Sequence, residues 1–167
     1  MACHVIGINV LKLLSRALIL NILFILSVSA DPEKLISVEN IQKLAAEAKQ
    51  NQIPILLLVS QYHCGFCDLM KEEILQPMQL DSSYQERVLV RELLIDQGEM
   101  VTNFQGNQEA AADFVDQYNI FVTPTLLFLD ADGKEAAERI VGINTVDYLI
   151  FYIEDAIDSA TANMVPK

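Results

Sequence analysis

"ILLLVSQYHCGFCDLMKEEIL", Ile55 to Leu75, joins an unbroken apolar run to a pair of cysteines two residues apart. The run Ile55–Ser60 follows Pro54 and carries no charge, as expected of a strand buried on both faces. Beyond the cysteines, Cys67, Met70 and Ile74 recur at helical spacing, and this helix is expected to stop before Pro77. The pair therefore lies where a buried strand hands over to a helix. The first turn of a helix presents free N–H groups and a partial positive charge, and both favour a thiolate over a thiol.

Working outward, "SVENIQKLAAEAKQ" places Ile41, Leu44, Ala45 and Ala48 on one helical stripe, with Ser37 as the expected cap. "RVLVRELLID", Arg87 to Asp96, reads as a second strand from its valines and its place between helices. Gly98 and Gly106 mark a loop, and Ala111, Phe114, Val115 and Tyr118 form the stripe of a further helix. In "TPTLLFLDADGKEAAERIVG", Thr125–Leu129 is one arm of a hairpin, Asp132-Gly133 its turn, and the return arm runs to about Val141. A last helix, opening near Asn144 or Thr145, buries Val146, Leu149, Ile150, Ile153 and Ile157. Strands separated by helices imply right-handed parallel crossovers, and the hairpin makes the sheet mixed. The expected architecture is an α/β sandwich with helices on both faces.

Residues 1–30 read differently. They carry Lys12 and Arg16, no acid, an uncharged run from Ala17 and a small-residue ending at Val28-Ser29-Ala30. The expectation is a cleaved secretory signal over 1–30 and one domain over 31–167, with an uncleaved membrane anchor as the alternative. Cleavage would leave nine basic against 23 acidic residues, a formal charge of −14. Such a surface repels phosphate backbones, so nucleic acid is not expected as a partner. It would also leave Cys64 and Cys67 as the sole cysteines and His63 as the sole histidine. In an oxidising compartment that pair can form a disulfide.

Three uses of the pair compete. As a staple it closes a four-residue ring, worth about 2 kcal/mol by chain entropy, less than a longer loop would give. As a metal site it lacks a second cysteine pair, and His63 adds at most a third ligand. Covalent haem attachment needs histidine after the second cysteine, where Asp68 stands. In redox exchange, Cys64 is the attacking thiolate and Cys67, one turn into the helix, is the resolving thiol. On that reading His63 supports the thiolate when protonated, Gly65 permits the tight geometry, and Phe66 shields the pair or contacts a partner.

With "CGFC" after an apolar strand, "VTPT" at Val122 to Thr125 and a closing hairpin and helix, the chain resembles the thioredoxin-fold superfamily, most of all its exported bacterial thioredoxin-related members. The resemblance spans about Ser37 to Ala160. It implies a thioredoxin-like three-layer sandwich, α/β, with a mixed central sheet of about four or five strands. It further implies a thiol:disulfide oxidoreductase with no cofactor beyond the Cys64–Cys67 disulfide. The partners implied are client proteins bearing thiols or disulfides and a redox partner that recycles the pair. A membrane enters only if the leading segment stays uncleaved, and the implied location is periplasmic or otherwise exported. In the superfamily the proline matching Pro124 is cis, and the backbone of the preceding residue, here Thr123, pairs with the substrate chain. The rival from another class is a binding module with an inert disulfide or a Cys-x-x-Cys metal site.

The chain departs from the family pattern in three places. The buried acid that thioredoxin carries on the strand before its cysteines is matched by Leu58, which leaves Glu72 as a candidate substitute. The tryptophan before the pair is replaced by His63. A first strand is missing unless "EKLI", Glu33 to Ile36, supplies a short edge.

Overall fold

The computed structural model describes residues 34–143 and 145–164. The expected signal at 1–30 and the helix start at Asn144 lie outside the described residues. Helix α1 spans Ile41–Asn51 and strand β1 Ile55–Ser60. Helix α2 (Gly65–Met70) runs through a π-helical segment, Lys71–Leu75, into α3 (Gln76–Leu80), and α4 is Ser82–Gln85. Then come β2 (Leu89–Leu94), β3 (Met100–Thr102), β4 (Gln108–Ala110) and α5 (Ala111–Asp116). Strands β5 (Thr125–Leu129) and β6 (Ile140–Val141) precede the closing helix α6 (Val146–Met164).

The main sheet has the order β2-β1-β5-β6. β1 pairs in parallel with β2, from Ile55 opposite Leu89 to Ser60 opposite Leu94, and antiparallel with β5. All six residues of β1 are buried, so the central strand is covered on both faces. Its alternation splits the core. Leu56 and Leu58 pack with Met70, Ile74, Ile153 and Ile157, whereas Ile55, Leu57 and Val59 pack with Ile41, Leu44 and Phe114. The result is helix, sheet, helix: a mixed thioredoxin-like sandwich. Among the described residues no helix is long and apolar enough to cross a membrane.

Several local expectations need correction. The cap of α1 is Asn40, whose side chain accepts from the Lys43 N–H at 2.8 Å. Ser37 instead forms a parallel bridge with Glu92. The Val38 N–H donates to the Glu92 carbonyl and the Glu92 N–H to the Ile36 carbonyl, so 36–38 make a one-bridge edge beside β2. The glycine-marked loop holds the β3–β4 hairpin, which forms a separate two-stranded sheet.

The helix after the cysteines does not stop before Pro77. The Gln76 N–H reaches the Lys71 carbonyl five residues back, and Pro77 then lies in the first turn of α3. A first-turn position needs no donor, so the missing proline N–H costs nothing there. On α6, Leu149, Ile153 and Ile157 are buried as expected, but Val146 and Ile150 are only partly covered.

Candidate redox site

Cys64 and Cys67 are joined as a disulfide, with Cα atoms 5.2 Å apart. Cys64 caps α2: its backbone is extended and its Sγ accepts from the Cys67 N–H at 3.2 Å. The two sulfurs live in different surroundings. Cys64 is partly exposed, whereas Cys67 is completely buried on the side where Met70 and Ile74 enter the core. The accessible sulfur is thus the one that receives a helix N–H, the arrangement that stabilises negative charge on it when reduced.

The loop between β1 and the pair is held from outside the helix. The Tyr62 N–H donates to Asp96 Oδ2 at 2.7 Å, and the Tyr62 hydroxyl donates to Glu99 Oε1 at 3.1 Å. That bond to Glu99 raises the phenol above its ordinary pKa. His63 is exposed and takes the left-handed conformation, with φ 59°. The tight geometry is therefore carried by His63 and not by Gly65. Gly65 has no positive φ, and a Cβ built on it would meet nothing within 4 Å.

Opposite the pair, the Thr123–Pro124 peptide bond is cis. The Thr123 hydroxyl lies 3.7 Å from Cys64 Sγ and 3.1 Å from Gln61 Oε1. The Thr125 hydroxyl donates to the Val122 carbonyl at 2.8 Å, fixing the turn that leads into β5. Thr123 is thus brought to Cys64 across 59 residues of sequence. Phe66 (65% exposed), Phe121 (84%), Val122 (55%) and Tyr62 (54%) present large apolar surface in the two segments that meet there. Reading from sequence passed over Phe121 and Val122. An aromatic and a valine directly before Thr-Pro, outside any helical stripe, were the available signal.

Glu72 is exposed and is not the missing internal acid. The buried acid is Glu92, 6% exposed, which stands on β2 directly opposite Leu58. Its Oε1 accepts from the Ser60 hydroxyl at 2.5 Å and lies 3.1 Å from Lys71 Nζ. Lys71 also reaches Asp68 at 3.0 Å. Burial works to lower the Lys71 pKa, but the bonds to Asp68 and Glu92 outweigh it and hold the ammonium above its ordinary value. Glu92 was visible in the sequence as the one acid in LVRELL, a strand otherwise apolar apart from Arg91. Among the described residues no group of three or more potential metal ligands occurs.

A model of the thioredoxin-like domain matches residues 41–157. No curated protein matches the chain. Among solved structures it is similar to the thioredoxin NaTrxh of Nicotiana alata, at 24% identity and a TM-score of 0.53, covering 77% of this chain and 96% of that one. It is also similar to a poplar thioredoxin h mutant, at 20% identity and 0.51, covering 78% and 87%. Thioredoxin F from spinach chloroplast is 18% identical with a TM-score of 0.51, covering 74% of this chain and 93% of that one. At these identities the likeness is one of fold.

Proposed function

The chain belongs to the thioredoxin-like domain family, and from that premise we propose that it is a thiol:disulfide oxidoreductase whose redox centre is the Cys64–Cys67 pair itself. One observation carries the reading: a disulfide with one sulfur accessible at a helix cap and the other completely buried behind it. In the reductive direction the Cys64 thiolate attacks a client disulfide, forming a mixed disulfide and releasing one client sulfur. Cys67 then attacks Cys64 Sγ, releases the second client sulfur and restores the intramolecular disulfide. The reverse order donates a disulfide, and the direction is set by the reduction potential of the pair against that of its partner.

The client contact is the apolar rim of Phe66, Phe121 and Val122 together with the Thr123 backbone beside Cys64. An extended segment with an apolar side chain near its cysteine fits that rim. Residues 1–30 support export, which would bring the pair to clients in an oxidising compartment and call for a separate redox partner to recycle it.

Substituting Cys67 by serine is the test. The variant should accumulate covalent adducts with disulfide-bearing proteins, dissolved by reductant and lost when Cys64 is also replaced. Failure to trap anything would leave a binding module with an inert disulfide, and stoichiometric metal in the freshly reduced protein would favour a Cys-x-x-Cys metal site.

A further inference from the structure

Resolution of a mixed disulfide needs a thiolate at Cys67, and Cys67 is completely buried. A proton leaving a buried thiol needs an acceptor within the fold. Among the described residues, Glu92 is the one charged side chain in the buried core. It lies on the sheet face that α2 and the π segment cover, since Val90, two residues before it on the same strand, packs with Met70 and Ile74. Lys71, four residues on from Cys67 along the helix, reaches down to its Oε1, and Ser60 donates to the same oxygen. A buried ion pair is a poor device for stability alone, because desolvation consumes most of its attraction and an apolar residue would serve as well. Val90, on the same face of that strand, shows what it otherwise buries there.

We propose that Glu92 takes up the Cys67 proton during resolution, with Ser60 and Lys71 as positioning residues that fix its carboxylate. This rests on the oxidoreductase reading above. The Cys67 thiol passes its proton to the Glu92 carboxylate, and the resulting thiolate attacks Cys64 Sγ. The Cys64–Cys67 bond forms, the bond from Cys64 to the client breaks, and the client sulfur leaves with the electron pair. Glu92 then returns the proton to solvent. The dithiol loses two electrons and the client disulfide gains two. The groups facing Glu92 are Lys71 from the helix, with Asp68 behind it, Ser60 from β1 and, at longer range, Tyr62 from the loop. The edge segment beside β2 meets it through backbone.

Dithiodipyridine added to the fully reduced protein separates the two steps. The first thiopyridone released reports attack by Cys64, and the second reports resolution by Cys67. In the unsubstituted protein the second rate should show a plateau around neutral pH, because a carboxylate inside the fold and not hydroxide is the acceptor. Glu92→Gln should keep the first release, slow the second by about a hundredfold at neutral pH, and replace the plateau by a rise of about tenfold per pH unit, since hydroxide becomes the acceptor. Glu92→Asp keeps the carboxylate but draws it back by one methylene, so the second release should slow while the first keeps its rate and the plateau remains. A second release in Glu92→Gln that follows the unsubstituted profile would overturn the assignment. Should that variant not fold, a second release in Glu92→Asp as fast as in the unsubstituted protein would do the same. Absence of the first release from the unsubstituted protein would instead bring down the oxidoreductase reading, and the Glu92 proposal with it.

Discussion

At Cys64 the sulfur is supported by one helix N–H at 3.2 Å and by the Thr123 hydroxyl at 3.7 Å. Both contacts stabilise an anion more than a thiol, so removing either should raise the pKa of the reduced group. Thr123→Val keeps the shape and deletes the hydroxyl. It is expected to raise the Cys64 pKa, because the anion loses one of its donors. Titrating thiolate absorbance in the reduced protein would measure it, and an unchanged value would remove Thr123 from the electrostatics of the site. His63 contributes differently. Its left-handed backbone turns the chain between the Tyr62 anchor and the helix cap, a task that sequence reading had assigned to Gly65. Glycine at position 65 suggested a backbone constraint, but the constraint falls two residues earlier.

Elements here are held by their junctions. The β5–β6 connection turns at Gly133, with φ 83°, and Asp130 accepts from the Asp132 and Lys134 N–H groups at 2.9 and 2.8 Å. Tyr118, which follows α5, donates its hydroxyl to the Gly133 carbonyl at 2.8 Å and so ties the helix layer to the hairpin. Its burial pushes the phenol up to about 12. A Cβ at Gly133 would stand 2.7 Å from the Phe104 ring, in a backbone region that L residues avoid. Gly133→Ala should therefore cost about 2 kcal/mol or more, read as a shift in the denaturant midpoint. A loss below about 0.5 kcal/mol would mean that the turn rearranges and that the junction is softer than its hydrogen bonds indicate. The Asp132-Gly133 signal was legible because a positive φ calls for glycine. The return arm was less so: only Ile140–Val141 pair as a strand, with one further bridge between Leu129 and Glu135.

For the whole molecule, the redox state and the stability are two sides of one cycle. Closing the four-residue ring restricts the unfolded chain by about 2 kcal/mol. Charge stabilisation of Cys64 in the reduced fold works against that gain, and a strong oxidant is a protein in which it wins. Lys71 is occupied by Asp68 and Glu92, and the contacts to Cys64 are two uncharged donors. The oxidised form is therefore expected to be the more stable, by no more than about 2 kcal/mol. Urea unfolding of the oxidised and reduced protein measures the difference. A reduced form that proved the more stable would assign the protein to the oxidant end of the scale.

The sequence by itself determined the order of the main-sheet strands and the helices between them, the buried central strand, the cysteine pair at the head of a helix and the hairpin with its closing helix. Each of these is written within a window of ten to twenty residues, where period and turn chemistry are local. Tertiary structure decided what stands next to what. Strand register placed Glu92 opposite Leu58, 34 residues away, and thereby moved the internal acid to the neighbouring strand. The antiparallel pairing of β1 with β5 brought Thr123 to Cys64 and left Phe121 and Val122 uncovered beside it. The π segment that carries the chain past Pro77 is likewise a product of packing, because a local rule ends the helix there while the buried Ile74, Leu75 and Met78 hold it on. Register and packing are settled by the free energy of the assembled core, and no short stretch of chain holds that sum.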